Sequence, residues 1–374
     1  MKVLVKTFFL VLFASLLLTS CNDERPVMTG IPSDRDATAN PIVLPGESNA
    51  VIPSAIFYEE GQHNIVNMAL TGIQDPVTQN WLRLYGTNSA QQNVWVEVDG
   101  VSKGILVSNL ASAPVTKGDP NLKMMADVIF LVDNSASMGE ESEMVANQLT
   151  AWIQYLDTKG LDLQIGIVGF DAMGVNGSTM LLGSPQDAVD FLNRPGTSGR
   201  TRTVGFPHGH SNVGFTNTTN AECQVKALLF ADANSKYRYG ANRIFICLTD
   251  EPNQPLNDAQ WSVDVIDTKW EGTVHVVYSD PNTTFAEIQN QKEYPWRLSM
   301  ITGGTHKFTN PTYAGITLID DFPVTGAMAN SYRIQFVNTS AAQDGSHTIR
   351  LTVQSPDGSV AAERIYTGIQ FAEE

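Results

Sequence analysis

The chain has 374 residues, of which 42% are apolar, and its 39 acidic and 23 basic side chains give a formal net charge of −16. This apolar content is typical of globular proteins, and the length allows about two domains. Because so acidic a chain lacks the basic surface that displaces counterions from phosphates, we expect no nucleic acid partner.

Residues 1–20 have the pattern of a signal peptide, in which Lys2 and Lys6 precede an apolar stretch. The small residues that follow, together with Cys21, resemble the cleavage box of bacterial lipoproteins. This resemblance implies a mature chain that begins at Cys21, carries lipid there and lies in the bacterial cell envelope, at the outer membrane. A membrane-spanning anchor is the alternative, and the apolar stretch is short for one.

The two remaining cysteines, Cys223 and Cys247, allow two interpretations. They are compatible with a disulfide in an oxidising compartment, or with two small buried thiols. So few cysteines exclude a disulfide framework, and two isolated thiols do not resemble a zinc site.

The order of predicted elements divides the rest of the chain into four segments. Residues 21–45 are rich in Pro, Asp, Thr and Ser and are predicted to form a flexible tether. Residues 46–119 and 322–374 show short alternating runs typical of strands, whereas residues 120–321 alternate nearly continuous apolar strands with helices. The predicted fold is a Rossmann-like, doubly wound α/β domain with a mostly parallel sheet, inserted into one β-sandwich formed by both flanks. The alternative is two separate small β-domains, although the C-terminal flank is short for an independent fold.

Some single elements can also be predicted. The pairs Asp99-Gly100 and Asp357-Gly358 are hairpin signals. Within the α/β domain, helical spacing predicts helices over 144–156, 222–233, 261–270, 285–301 and 314–322.

Side chains with oxygen donors stand where predicted strands end or where a helix is about to begin. They are Asp133, Ser135, Ser137, Thr216, Asp250 and Glu251. The carboxyl ends of parallel strands meet at one edge of a sheet, which is where open α/β folds bind ligands. Hydroxyl and carboxylate oxygens favour a hard cation, which we expect to be Mg²⁺ or alternatively Mn²⁺ or Ca²⁺.

The segments FLVDNSASM, GFTNT and ICLTD, in this order, resemble the metal-ion-dependent adhesion site of von Willebrand factor A-type domains. The resemblance covers about residues 120 to 320 and extends to MITGGTHKF, which is similar to a late Gly-Gly turn of the family. It implies that Ser135 and Ser137 bind the metal directly, while Asp133 and Asp250 act mainly through water and hydrogen bonds. It also implies that Thr216 binds directly or through water, and that an acidic group of a partner completes the coordination.

Several residues of this pattern have a second interpretation. Ser137 is also placed to cap a following helix, with Glu140 completing a capping box. Arg200 and Arg202 are candidate contacts for an anionic ligand, or they are solvated or paired with local acids. Glu251 is a candidate ligand contact that stands where the family usually has glycine, and its effect on cation or ligand affinity is open.

The predicted function is divalent-cation-dependent binding of a protein or other acidic ligand, of the adhesion type, by an envelope lipoprotein. A structural or assembly subunit of an envelope or fimbrial complex would use the same site and is the alternative. The sequence contains no GxSxG, HExxH or GxxxxGK[ST] motif, so we expect no enzymatic activity, and a metal-dependent hydrolase is the least favoured function.

Overall fold

The computed structural model describes residues 30–44, 46–60, 64–110, 125–158, 161–172, 174–175, 179–203, 222–255, 258–266, 270–279, 291–313, 316–319, 324–339 and 345–371. Their strands form three sheets, one of six strands and two of four. The described residues from Pro32 onward belong to one compact unit. No helix in these ranges has both the length and the apolar character needed to cross a membrane.

The strands and helices have the following bounds. The N-terminal flank contains β1 (Ile56–Glu60), β2 (Ile65–Leu70), β3 (Val94–Val98), β4 (Val101–Lys103) and β5 (Leu106–Asn109). The central region contains β6 (Met125–Asp133), β7 (Asp162–Phe170), β8 (Met180–Gly183), β9 (Asn242–Thr249), β10 (Thr273–Tyr278) and β11 (His306–Phe308). The C-terminal flank contains β12 (Tyr332–Val337), β13 (His347–Gln354) and β14 (Ala361–Ile369). The helices are α1 (Glu141–Thr158), α2 (Pro185–Leu192), α3 (Arg200–Thr203), α4 (Gln224–Asn234), α5 (Trp296–Thr302) and α6 (Val324–Ala329).

The six central strands form one sheet in the order β11-β10-β9-β6-β7-β8, in which only β8 runs antiparallel to its neighbour. Read from β8, this is the 3-2-1-4-5-6 order of doubly wound folds. Alternate side chains of β6 enter two different cores. Val128 and Phe130 belong to the core that contains α1, whereas Ile129 and Leu131 belong to the core that contains α4. The apolar run of β6 therefore reflects burial on both faces, and the predicted doubly wound α/β fold is confirmed.

The flanking strands form two antiparallel sheets, β1-β2-β12-β5 and β14-β13-β3-β4. Each sheet joins the two flanks, because β12 pairs with β2 and β5, and β13 pairs with β3. Side chains from both sheets, among them Met68, Ile334, Val96 and Leu351, share one buried core. The flanks thus form a single β-sandwich around the central α/β unit, and two separate β-domains are incompatible with this strand pairing.

The turn signals and two of the helix predictions agree with the structure. Asp99 and Gly100 both adopt positive φ, 50° and 82°, between the paired strands β3 and β4, as a two-residue hairpin requires. Gly358 has a φ of 74° between the paired strands β13 and β14. The helices predicted over 144–156 and 222–233 correspond to α1 and α4.

Two helix predictions are wrong over the described residues, and a third is confirmed only in part. The segment predicted over 261–270 has only single 3₁₀ turns, because the Ser262 hydroxyl accepts the Asp264 N–H and so competes with helical bonding. In the segment over 285–301, α5 begins only after Pro295, which has no N–H for a helix interior. Residues 316–319 are not helical, and the helix before the return to the sandwich starts at Val324.

Part of the segment predicted as a tether lies against the sandwich. The Asp34 carboxylate accepts a hydrogen bond from Lys103 Nζ at 3.0 Å, and the Thr38 hydroxyl accepts one from Trp95 Nε1 at 2.8 Å. Asn40 is buried as well. These contacts are polar, so apolar periodicity gives no sign of them.

A buried ion pair joins the first residues of β6 to the loop before β9. Asp127 is fully buried, and its carboxylate accepts hydrogen bonds from the Nε and the backbone N–H of Arg238, both at 2.7 Å.

We predict that Arg238→Ala lowers the free energy of unfolding by about 3 kcal/mol, because it leaves a buried charge without its partner. Urea unfolding measures the loss. Arg297→Ala, which removes a surface pair with Asp264, should cost less than about 1 kcal/mol, and equal losses would contradict the prediction.

Candidate metal centre

The predicted site lies at the carboxyl edge of the six-stranded sheet, at its two central strands. β6 and β9 are parallel neighbours that pair as far as Val132 and Leu248. Asp133 ends β6 and Thr249 ends β9, so the loops that carry the predicted donors leave the sheet side by side. The register of two buried strands therefore brings together residues more than a hundred positions apart.

Four of the predicted metal residues form one continuous chain of hydrogen bonds. The Ser135 backbone N–H donates to Asp133 Oδ1 at 2.9 Å, and the hydroxyls of Ser135 and Ser137 lie 2.7 Å apart. The Ser137 hydroxyl in turn donates to Asp250 Oδ1 at 3.2 Å. Asp133 and Ser135 are buried, whereas Ser137 is exposed, so the cluster opens towards solvent at its hydroxyl end.

The interpretation of Ser137 as a helix cap gains no support from these contacts. Its hydroxyl bonds side chains, Ser135 and Asp250, rather than backbone amides of the following helix. α1 begins only at Glu141, after a separate 3₁₀ turn over Ser137–Gly139.

Thr249 and Gln224 complete the support of Asp133. Thr249 belongs to the predicted ICLTD segment but was not predicted as a metal residue, and Gln224 was not predicted at all. The Thr249 hydroxyl donates to Asp133 Oδ2 at 2.7 Å and accepts from Gln224 Nε2 at 3.0 Å. Gln224 Nε2 also donates to the carbonyl oxygen of Glu251 at 2.9 Å, so it links α4 to the loop that carries Asp250. A threonine that ends an apolar strand looks like an ordinary strand residue, and only its place directly before Asp250 signals this role.

The site concentrates negative charge. Burial raises the pKa of Asp133 to about 7, against an ordinary value of 3.8. Burial, and then the neighbouring charges of Asp133, Glu251 and Asp250, raise the pKa of Glu222 to about 8. A divalent cation would relieve this repulsion, so both the charge and the oxygen donors of the site fit a hard cation. The described ranges contain no group of three or more His, Cys, Asp and Glu side chains that could hold a metal.

Both predicted arginine contacts bind groups within the protein. Arg202 is only 8% exposed, and its guanidinium is held by Glu143 and by the Leu192 carbonyl oxygen, which agrees with the alternative of pairing with a local acid. Arg200 donates through Nε and Nη2 to the Asn134 carbonyl oxygen, at 3.1 and 2.7 Å. It thus holds the loop directly after Asp133.

The remaining predicted residues have varied outcomes. Thr216 and Cys21 lie outside the described residues. Glu251 is half-buried beside Asp250, and its backbone N–H donates to the Thr249 hydroxyl at 3.2 Å. Cys223 and Cys247 are both buried free thiols and do not form a disulfide.

Comparisons with known proteins give distant structural likenesses. No family model matches the chain, and neither does any curated protein. BatB from Bacteroides thetaiotaomicron is 14% identical, with 50% of this chain and 90% of that chain covered and a TM-score of 0.33. A von Willebrand factor type A protein from Catenulispora acidiphila is 11% identical, with coverages of 87% and 75% and a TM-score of 0.34. The pilus adhesin SpaC from Lactobacillus rhamnosus GG is 10% identical, with coverages of 84% and 55% and a TM-score of 0.32.

Likenesses this distant carry no argument about function, and the fold is decided by the chain itself. Its strand order is that of a doubly wound sheet, and the FLVDNSASM and ICLTD segments meet at the carboxyl edge of that sheet. The central unit has a Rossmann-like, doubly wound α/β fold. Within its candidate site, Asp133 is buried and Ser137 is exposed.

We predict that the metal-free protein loses stability as the pH rises from about 4 to about 7. The folded-state pKa of Asp133, about 7, lies above its ordinary value of 3.8, so the folded protein keeps a proton that the unfolded chain has released in this window. This contribution is fully present below about pH 4 and is lost as the pH passes through 7. Urea unfolding in chelator at several pH values measures the slope.

The matched variant is Asp133→Asn, whose amide does not titrate and which should reduce the slope. Adding Mg²⁺ should restore stability to the wild-type protein at pH 7.5 but not at pH 4.5, because the metal requires the ionised carboxylate. A variant slope as steep as that of the wild-type protein would contradict the prediction.

Proposed function

We propose that this protein is a divalent-cation-dependent binding protein of the bacterial envelope, anchored by lipid on Cys21, that recognises an acidic group of a protein or other partner through the metal. The observation that carries the proposal is the hydrogen-bonded row Asp133, Ser135, Ser137 and Asp250 at the carboxyl edge of the sheet. Mg²⁺ is the cation we favour, with Mn²⁺ and Ca²⁺ as alternatives.

The arrangement of the row suits a metal that binds a partner. Its exposed end presents hydroxyls, and its carboxylates are engaged by hydroxyl or amide donors behind them. A cation held mainly by neutral hydroxyls keeps positive charge, so an Asp or Glu carboxylate of a partner is a favourable additional ligand. We infer a binding role rather than an enzymatic one, because the sequence contains no GxSxG, HExxH or GxxxxGK[ST] motif.

Isothermal titration calorimetry of Mg²⁺, Mn²⁺ and Ca²⁺ into the metal-stripped protein tests the site. We expect binding at one site, and Asp133→Ala and Ser135→Ala should each weaken it at least tenfold, because each removes an oxygen from the row. Ser142→Ala is the matched control, since the Ser142 hydroxyl bonds only the Met138 carbonyl oxygen among the described contacts. Unchanged affinity in both site variants would reject the metal centre.

The alternative role, a subunit of an envelope or fimbrial assembly, uses the same residues. Immobilised wild-type protein and Asp133→Ala, each with Mg²⁺, should be exposed separately to envelope extracts of the same cells and to host matrix proteins. Partners eluted by chelator only from the matrix column favour adhesion, whereas a partner from the cells' own envelope favours assembly. Equal capture by the variant would contradict metal-dependent recognition.

Lipid anchoring has its own test. We predict that Cys21→Ser moves the protein from the membrane fraction to the soluble fraction of cell extracts, because the substitution removes the thiol that carries the lipid. Cys223→Ser is the matched control, since Cys223 is buried and its thiol donates to Asn253 Oδ1 at 3.1 Å. A Cys21→Ser protein that stays in the membrane fraction would contradict the anchor.

A further inference from the structure

A second concavity lies between the sandwich and the α/β unit, at the opposite end of the six-stranded sheet from the candidate metal centre. It has a volume of about 180 Å³ and opens to solvent. One wall comes from the segment Thr71–Trp81 after β2, and the other from Thr273 and from Gly303–Thr305. Thr273 begins β10, whose other end, Tyr278, lies at the carboxyl edge of the sheet about 17 Å away. We call this concavity the junction cleft.

The junction cleft contains a half-buried indole seated on two glycines. A Cβ atom at Gly72 would lie 2.9 Å from the Trp81 ring, and one at Gly326 would lie 2.6 Å from it. Any other residue at either position would therefore displace the indole. The ring thus rests against backbone, and Trp81 remains partly exposed among the residues that line the cleft.

A buried histidine in the same cleft is held in its neutral form. His275 is 3% exposed, and its Nδ1 accepts the backbone N–H of Thr305 at 3.1 Å, which places the ring proton on Nε2. Burial also lowers the pKa of His275 to about 3. The imidazole is therefore an uncharged polar group at neutral pH.

The other polar groups of the cleft are uncharged as well. Among the described residues that line it, none has a charged side chain. Gln74 donates through Nε2 to the Gln79 carbonyl oxygen at 2.6 Å, an arrangement that fixes its amide beside Trp81. Thr71 is buried at 4% exposure, and its hydroxyl makes no hydrogen bond within the described part of the chain. A partly exposed indole thus stands beside neutral donors and acceptors.

We propose that the junction cleft binds a neutral saccharide. A sugar ring presents a face of C–H groups, which matches an indole, and an edge of hydroxyls, which matches amide, hydroxyl and imidazole groups. An anionic ligand would lack a cationic partner in this cleft, and a wholly apolar ligand would leave the hydroxyl of Thr71 unpaired. Clefts between structural units are common places for ligand sites. This site is separate from the metal centre and does not depend on the proposed function.

Saturation-transfer difference NMR with the purified full chain tests the proposal. The probes are glucose, galactose, mannose, N-acetylglucosamine and their β-linked disaccharides, with glucuronate and indole as anionic and apolar comparisons. We expect transfer to at least one neutral sugar and to neither comparison ligand. The responding sugar should bind at least tenfold more weakly to Trp81→Ala, and several-fold more weakly to the isosteric Thr71→Val.

Trp95→Ala, on the second sheet of the sandwich, is the matched control and should bind like the wild-type protein, as should Asp133→Ala in chelator. Thermal unfolding verifies that the variants are folded. If Trp81→Ala is unfolded, the affinity of Thr71→Val tests the proposal instead. Transfer to no neutral sugar would overturn the proposal. So would unchanged affinity in the folded cleft variants, or preference for glucuronate or indole.

Discussion

The candidate site depends on one constraint, a carboxylate that ends the central strand of a sheet and is almost completely buried. An ionised group in such a position is costly unless donors surround it. Asp133 obtains them from Ser135, two residues later in its own loop, and from Thr249 at the end of the neighbouring strand. Because each donor comes from a different strand end, the carboxylate fixes the loops of β6 and β9 relative to each other, and these are the loops that carry the oxygen donors.

Much of this arrangement could be predicted from residue order. The nearly continuous apolar runs of β6 and β9 indicate parallel strands covered on both faces, and a parallel sheet gathers its strand ends at one edge. The prediction that Asp133, Ser135, Ser137 and Asp250 lie together follows from those two facts. The roles of Thr249 and Gln224 could not be predicted in this way. They depend on how the Gln224 side chain of α4 reaches Thr249 at the end of β9.

Other features depend on polar side-chain contacts that cannot be inferred from composition. The segment around Ser262 has apolar residues at helical spacing, but its serine bonds a nearby amide and leaves only 3₁₀ turns. Arg202 stands in a polar segment, yet it is buried because Glu143 on α1 and a carbonyl oxygen accept its donors. Asp34 likewise belongs to a segment whose composition is typical of disorder, but its carboxylate accepts a hydrogen bond from Lys103. In each case polar partners, either close by or far along the chain, decide the local structure.

The strand pairing of the sandwich has a consequence for how such a chain could arise. β5 and β12 are antiparallel neighbours, and the Leu110 N–H donates to the Ser331 carbonyl oxygen at 3.0 Å. The chain thus leaves the sandwich and returns to it at one place, as the two arms of a hairpin do. Lengthening a loop costs only about 0.6 kcal/mol for each doubling, and an insert whose ends already lie together costs less. For the sandwich, the whole α/β unit is the connection of one hairpin. A different insert, or a short turn, would therefore leave the register of the sandwich strands unchanged.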